Sequence, residues 1–274
     1  MSIMTNLASL AAQNQLGRTS KSLTKTLGRI SSGYRVNSAR DDAAGLAVAT
    51  NLETARTSYG QAMRNANDGI SVVQTAEGAS DEVTDILQRM RELATQSASE
   101  TLADSERTYI QDEFEELTAE IDRISTTTEF NGIELGDGSS ATLSVQVGAG
   151  SGSDNQIDIT LGDLTGSTLG VDTASISLDS SANALTAMDE IDTALDTVAG
   201  YRSGYGATQN RLDSAINSAQ NYSENLASAE SQIMDADFAL ETSNMAKFQV
   251  MQQAGVAALA QSKGMSQSVL SLLM

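Results

Sequence analysis

The sequence predicts a mainly α fold, an elongated antiparallel helical bundle or coiled-coil rod with a small β-hairpin region. Three observations lead there. The 274 residues include no proline, which removes the strongest helix breaker throughout. Only 4% of the residues are aromatic, with 4 Phe and no Trp, and much of the 40% hydrophobic fraction is alanine. That composition suits long helices meeting in thin, close-packed seams better than a thick globular interior. Apolar residues also recur at alternating three- and four-residue steps through long parts of both halves, which is coiled-coil spacing.

Residues 3–30 carry an apolar stripe, Ile3, Leu7 and Leu10 followed by Leu16, Leu23, Leu27 and Ile30, with a register step between Leu10 and Leu16. Asn14, Gly17, Ser20 and Gly28 interrupt or flank it, so the stripe is too thin to hold an isolated helix. It reads either as an ordinary amphipathic helix on a domain or as an arm that orders on assembly. Gly33 suits a left-handed helix stop, and Asn37 and Ser38 offer side-chain oxygens to the free amides of the next helix. Asp41 and Asp42 then fall in a first turn, where the helix dipole favours negative charge.

From Asp41 to about Gln74 the seam runs Val48, Leu52, Ala55, Tyr59, Ala62, Ala66, Gly69, Val73. Glu77 to Asp81 is expected to loosen the helix before Val83, Ile86, Met90 and Leu93 resume the stripe. A capped turn at Thr101–Ser105 reverses the chain into a helix marked by Ile110, Phe114, Leu117, Ile121 and Ile124. A Gly, Ser, Thr and Asp rich region follows, with strand alternation at Leu143, Val145, Val147 and at Ile157, Ile159, Leu161. Between Leu164 and Ser181 only loops are legible, with or without a strand at Ala174–Leu178. Leu185, Met188, Ile191, Leu195 and Val198 restore helical spacing, Gly200–Gly206 permits a bend, and Leu212, Ile216, Ala219, Ser223, Leu226, Glu230 and Ile233 form the cleanest heptad. The last segment places Phe238, Met245, Phe248, Leu259, Val269 and Leu273 on one register with Glu241, Gln252, Gly255, Ser262 and Ser266. The expected organisation is a terminal helix at 1–40, helices at 41–98, 104–125, 182–199 and 205–233 with a β-hairpin region at 129–180, and a second terminal segment at 234–274.

Composition narrows function. The chain has no Cys, hence no disulfide or thiol chemistry, and no His, the commonest general base and metal ligand. Neighbouring acids such as Asp41-Asp42 and Glu115-Glu116 point to different helix faces, and no phosphate loop or metal spacing occurs, so no catalytic, cofactor or metal residue is assigned. A formal net charge of −20 disfavours nucleic acid. It is unevenly spread: residues 1–40 hold Arg18, Lys21, Lys25, Arg29, Arg35 and Arg40 and no acid. No stretch reads as a cleaved secretory signal or a membrane span, since Ala254–Ala260 is far short of the ~20 apolar residues a span needs. No membrane partner is expected.

Several long motifs, in order, resemble those of bacterial flagellins. They are SSGYRVNSARDDAAGLAVATNL from Ser31, NANDGISVVQTAEGA from Asn65, EIDRISTTTEFNG from Glu120, GATQNRLDSAINSAQNYSENLASAESQIMDADFALE from Gly206, and QVMQQAGVAALAQ from Gln249 with the ending SVLSLL. The resemblance covers nearly everything outside 137–183 and implies a short flagellin without large outer domains. It further implies a homopolymeric filament for motility, with 1–40 and 234–274 as filament-core helices and 41–233 as the rod domain. The core contacts would then include Ile3, Leu7, Leu10, Leu23, Leu27, Phe248, Leu259, Val269 and Leu273. Implied partners are further copies of the chain, an export chaperone, cap and hook-associated proteins, and type III export would place the product outside the cell without a cleaved signal. A hook-filament junction protein is the alternative reading. Arg89, Leu93 and Gln96, at i, i+4 and i+7, share one helix face; their types, with Glu113, match those of flagellins recognised by Toll-like receptor 5, which makes that receptor a further candidate partner.

Overall fold

The computed structural model describes residues 6–173 and 176–271, with side-chain surroundings as far as Gly264. It is mainly helical, as the sequence predicts. In chain order the elements are α1 (Leu7–Ser32), α2 (Ala43–Ser97), α3 (Asp104–Thr127), β1 (Glu129–Phe130), β2 (Ile133–Glu134), β3 (Thr142–Gln146), a 3-10 turn (Ser153–Asn155), β4 (Gln156–Thr160), α4 (Gly166–Leu169), α5 (Ser181–Met234) and α6 (Phe238–Ser271). They form two compact units, one of Met1–Arg56 with Glu224–Met274 and one of Thr57–Ser223.

In the Thr57–Ser223 unit, α2 and α5 run antiparallel: Arg91 pairs with Asp192, Asp81 with Arg202 and Tyr59 with Tyr222, one number rising as the other falls. The buried seam of α2 is Ala62, Ala66, Gly69, Val73, Ala76, Ser80, Val83, Leu87, Met90, Ala94 and Ser97, an unbroken 4-3 alternation. The expected loosening at 77–81 does not occur. Ser80 is fully buried because its hydroxyl donates to the Ala76 carbonyl at 2.9 Å, which satisfies the polar group inside the helix itself. Likewise α5 is one helix where two were expected. Val198, Tyr205, Thr208 and Leu212 are all buried across the glycine-rich stretch, and with no proline nearby this packing outweighs the ~1 kcal/mol helix penalty of each glycine. Its apolar side also turns one position: Ala184 and Ala187 are buried, whereas Leu185 is 56% exposed.

Two cores result. One joins Val83, Leu87, Met90 and Leu93 of α2, Ile110, Phe114 and Ile121 of α3, and Ile191 and Val198 of α5, and is closed by Leu164, Leu169, Val171, Ile176 and Leu178 from the connecting segment. The other packs Val72, Val73, Tyr205 and Leu212 under Leu135, Val145, Ile157, Ile159 and Leu161. The expected hairpin is β3–β4, with Val145 opposite Ile157 and Leu143 opposite Ile159. A second, unforeseen hairpin is β1–β2: Asn131 and Gly132 take φ of 52° and 77°, the left-handed pair that a tight two-residue turn needs. Of the strand considered at Ala174–Leu178, residues 174 and 175 lie outside the described residues, and 176–178 are not strand.

In the other unit, α1 ends as predicted, at Gly33 with φ 76° and its N–H on the Arg29 carbonyl. The cap of α2 differs from expectation. Asp42 accepts the Gly45 N–H at 2.9 Å, while Asn37 donates back to the Gly28 carbonyl and Ser38 donates to Asp41. A carboxylate at the N-cap gains from the helix dipole as well as from the hydrogen bond, which favours Asp42 over the neutral side chains upstream. The Arg35 guanidinium donates to the Gln232 and Ile233 carbonyls at the end of α5, where a cation is favourable.

Candidate assembly surface

Helices α1 and α6 form an antiparallel pair: Asn6 donates to the Ser262 carbonyl at one end, and Arg29 meets Glu241 at 2.8 Å at the other. On α6 the residues turned inward are Glu241, Met245, Phe248, Gln252, Gly255, Leu259 and Ser262, the register read from the sequence. On α1 they are Ser9, Ala12, Leu16, Thr19, Leu23, Thr26 and Ile30, also a regular 3-4 alternation. The register step between Leu10 and Leu16 disappears once polar residues are allowed into the seam. Gly255 receives Leu16: a Cβ there would lie 3.1 Å from Leu16 Cδ1.

The pair is weakly buried. Among the described residues its buried side chains are Thr19, Thr26 and Glu241, whereas Leu16, Leu23, Phe248 and Leu259 are half-buried. Thr19 stays satisfied by donating to the Gln15 carbonyl, and Glu241 by the Arg29 guanidinium. Other apolar side chains of both helices point away from the pair. Leu7, Leu10 and Leu27 of α1 are 74%, 58% and 45% exposed, which takes them out of the stripe the sequence assigned them to. On α6, Leu240, Val250, Met251 and Val256 are exposed, as is Phe238, the first helical residue. The four on α6 were missed by sequence reasoning; their signal was a set of apolar positions off the main register. Ile3 and Leu273 lie outside the described residues, as does the side chain of Val269.

Charge is distributed to match. Lys25 meets Asp41 at 2.8 Å and, as its hydrogen-bond partner, holds that carboxyl below its usual range, despite an opposing contribution from burial. Arg18 and Lys21 of α1 are exposed.

The residues matched to receptor recognition separate. Arg89 donates through Nε and Nη2 to Glu113 Oε1 at 3.0 and 2.8 Å and through Nη1 to Glu92 at 2.9 Å, an exposed cluster between α2 and α3. Its hydrogen bonds to Glu113 and then to Glu92 hold the Arg89 guanidinium above its ordinary value. Gln96 is exposed nearby in sequence. Leu93 is 2% exposed and belongs to the core, because at i+4 from Arg89 it has turned onto the buried seam. Among the described residues no group of side chains is placed to hold a metal ion, and no helix is long and apolar enough to cross a membrane.

Two family models match in chain order: the bacterial flagellin N-terminal helical region over residues 3–141 and the bacterial flagellin C-terminal helical region over residues 188–273. The chain is 43% identical over 273 residues to the flagellin of Halalkalibacterium halodurans, covering the whole of both proteins. It belongs to the bacterial flagellin family. Flagellins are structural proteins, and this flagellin is a filament subunit by that membership. It is also 38% identical over 285 residues, again across both full lengths, to the flagellar filament 33 kDa core protein of Treponema phagedenis. Among solved structures, the crystal structure of Bacillus cereus flagellin matches 57% of this flagellin and 88% of its own chain, with a TM-score of 0.50 and 29% identity. A putative flagellar hook-associated protein from Vibrio parahaemolyticus matches 71% of this chain and all of its own with a TM-score of 0.59, but at 16% identity, a likeness of fold alone. Full-length sequence identity therefore lies with flagellins, and nothing favours the junction-protein alternative.

Proposed function

We propose that the α1–α6 pair is the polymerising element, with residues 1–40 and 234–274 forming the filament core and 41–233 the surrounding rod domain. One observation carries this: the pair buries threonines and an ion pair inside while Leu7, Leu10, Val250 and Val256 remain exposed. Covering each such side chain with a neighbouring copy is worth up to ~1.5–3 kcal/mol. The basic α1 face beside an otherwise acidic chain adds attraction between copies, which salt screens. A loosely held pair also suits passage through a type III export channel in unfolded form, attended by an export chaperone, and release at the filament tip under cap and hook-associated proteins. The product is then extracellular, without a cleaved signal peptide.

The test is growth on short filament seeds, followed by electron microscopy, for the full chain and for a chain lacking 1–40 and 234–274. Long filaments from the full chain alone are expected; growth of the truncated chain would remove the pair from assembly.

A second role has its own observation, the exposed Arg89–Glu113 cluster. Arg89, Gln96 and Glu113 form a contact face for Toll-like receptor 5, with Leu93 supporting it from the core. Unchanged receptor affinity in an Arg89→Ala, Glu113→Ala chain would sink this role.

A further inference from the structure

Tyr59 of α2 and Tyr222 of α5 stack with ring centroids 5.4 Å apart and an interplanar angle of 17°. They are the ring pair found among the described residues, and the pair is open to solvent: Tyr222 is 57% exposed and Tyr59 half-buried. Two further tyrosines, Tyr34 and Tyr109, are 45% and 74% exposed but have no aromatic partner among the described residues, whereas Tyr205 is 1% exposed with its phenol oxygen accepting the Gly162 N–H at 2.9 Å.

The composition makes this pair chemically distinctive. Cysteine and tryptophan are the side chains that ordinarily compete with tyrosine for one-electron oxidation, and the chain contains neither. Its 10 methionines are oxidised by oxygen transfer to the sulfoxide, a two-electron reaction that leaves tyrosyl radicals intact. A radical formed on any exposed tyrosine therefore lacks the usual sinks, and at residues 59 and 222 it finds a second phenol already in ring contact.

We propose that Tyr59 and Tyr222 are a site of oxidative coupling, at which a peroxide-driven one-electron oxidant of the haem peroxidase class joins them as an intramolecular dityrosine. Each phenol gives one electron to the oxidant and one proton to solvent. The two radicals, delocalised onto the ring carbons beside the oxygens, form one carbon–carbon bond between those carbons. The hydrogen on each coupled carbon is then lost as the ring becomes aromatic again, and each oxygen regains a proton. The balance is two electrons and two protons, which convert one hydrogen peroxide to two waters. The bond would fasten α2 to α5 and close a covalent loop from residue 59 to residue 222.

The experiment treats dilute monomeric full-length chain with a haem peroxidase and hydrogen peroxide, with free N-acetyltyrosine as the control for oxidant activity. The expected product migrates as a monomer, shows dityrosine fluorescence, and yields a linked peptide pair containing Tyr59 and Tyr222, lighter by two hydrogens than the two peptides together. Tyr59→Phe and Tyr222→Phe keep the ring stack and should each abolish that product, whereas Tyr109→Phe should leave it unchanged. Fluorescence confined to dimers linked through Tyr34 or Tyr109, absence of the linked pair from the unsubstituted chain, or monomeric fluorescence that survives both Phe substitutions would overturn the proposal. Because the reaction is read on monomers, its outcome is independent of whether the chain polymerises.

Discussion

The seam of α2 in the Thr57–Ser223 unit and the seam between α1 and α6 share the same alternation of three and four residues, but they bury very different things. Val73, Val83, Leu87 and Met90 are fully buried on α2, whereas among the described residues the α1–α6 seam buries only Thr19, Thr26 and Glu241, keeps Leu16, Leu23, Phe248 and Leu259 half-buried, and leaves Leu7, Leu10, Val250 and Val256 exposed. Periodicity fixes which residues face one another; the volume and polarity at those positions decide whether the contact holds alone. The first region is a self-sufficient core. The second is a thin contact with apolar side chains of both helices still open to solvent.

The contrast can be broken from either side. Phe114→Ala, at a site with no exposure, should cost about 3–5 kcal/mol and lower the thermal midpoint of the main unfolding transition. Glu241→Ala should cost about 1–3 kcal/mol, since it strands Arg29 in a site only a quarter exposed, and hydrogen exchange should rise in α1 and α6 while α3 keeps its protection. If α3 lost protection equally, the two regions would be one cooperative unit.

Tyr205→Phe should cost about 1–3 kcal/mol, because the Gly162 N–H loses its acceptor. This site also has a pH signature. Burial pushes the Tyr205 phenol above its ordinary value, so the unfolded chain releases the proton first. Its contribution is complete below pH about 10 and declines as the pH rises further, and the Phe variant should show a shallower alkaline loss of stability. Gly255→Ala should change stability by less than about 1 kcal/mol, as the helix gain is offset by the shift forced on Leu16. Smallest for the monomer, and most telling, are Leu10→Ser and Val250→Ser. Each should alter unfolding by no more than about 0.5 kcal/mol yet raise the concentration needed for seeded growth. Unchanged growth would leave those exposed side chains without a role in assembly.

Helix type and most of the seam were legible because seven-residue repetition survives substitution by small residues. The part of the α6 register from Glu241 to Ser262 and the heptad from Leu212 to Ile233 are found where spacing placed them. Failures came where polar residues were taken as interruptions. Ser80 bonds within its own helix and Thr19 does the same, so both sit in seams that a hydrophobicity count rejects. Glycine misled at 200–206 for the opposite reason: its local cost is real but small beside the burial of Val198, Tyr205 and Leu212. The β1–β2 hairpin had a clear signal in Asn131-Gly132 between Phe130 and Ile133, lost among the turn-forming residues that follow. Of the receptor-matched set, Arg89 and Glu113 meet across α2 and α3, a pairing the spacing of Arg89, Leu93 and Gln96 did not signal. Leu93 shows the limit of reading a face by spacing, since i+4 from an exposed arginine at a seam border is already inside.

The pairing of α1 with α6 also has a clock in it. Its hydrogen bonds join residues 256 and 212 positions apart, so α1 is synthesised long before α6 exists. At ~5–20 residues per second, roughly 10–40 s pass between the emergence of Ser32 and that of Phe238. For all of that interval the first helix lacks the α6 face it packs against, and whatever engages that side of α1 in that window meets no competition from α6.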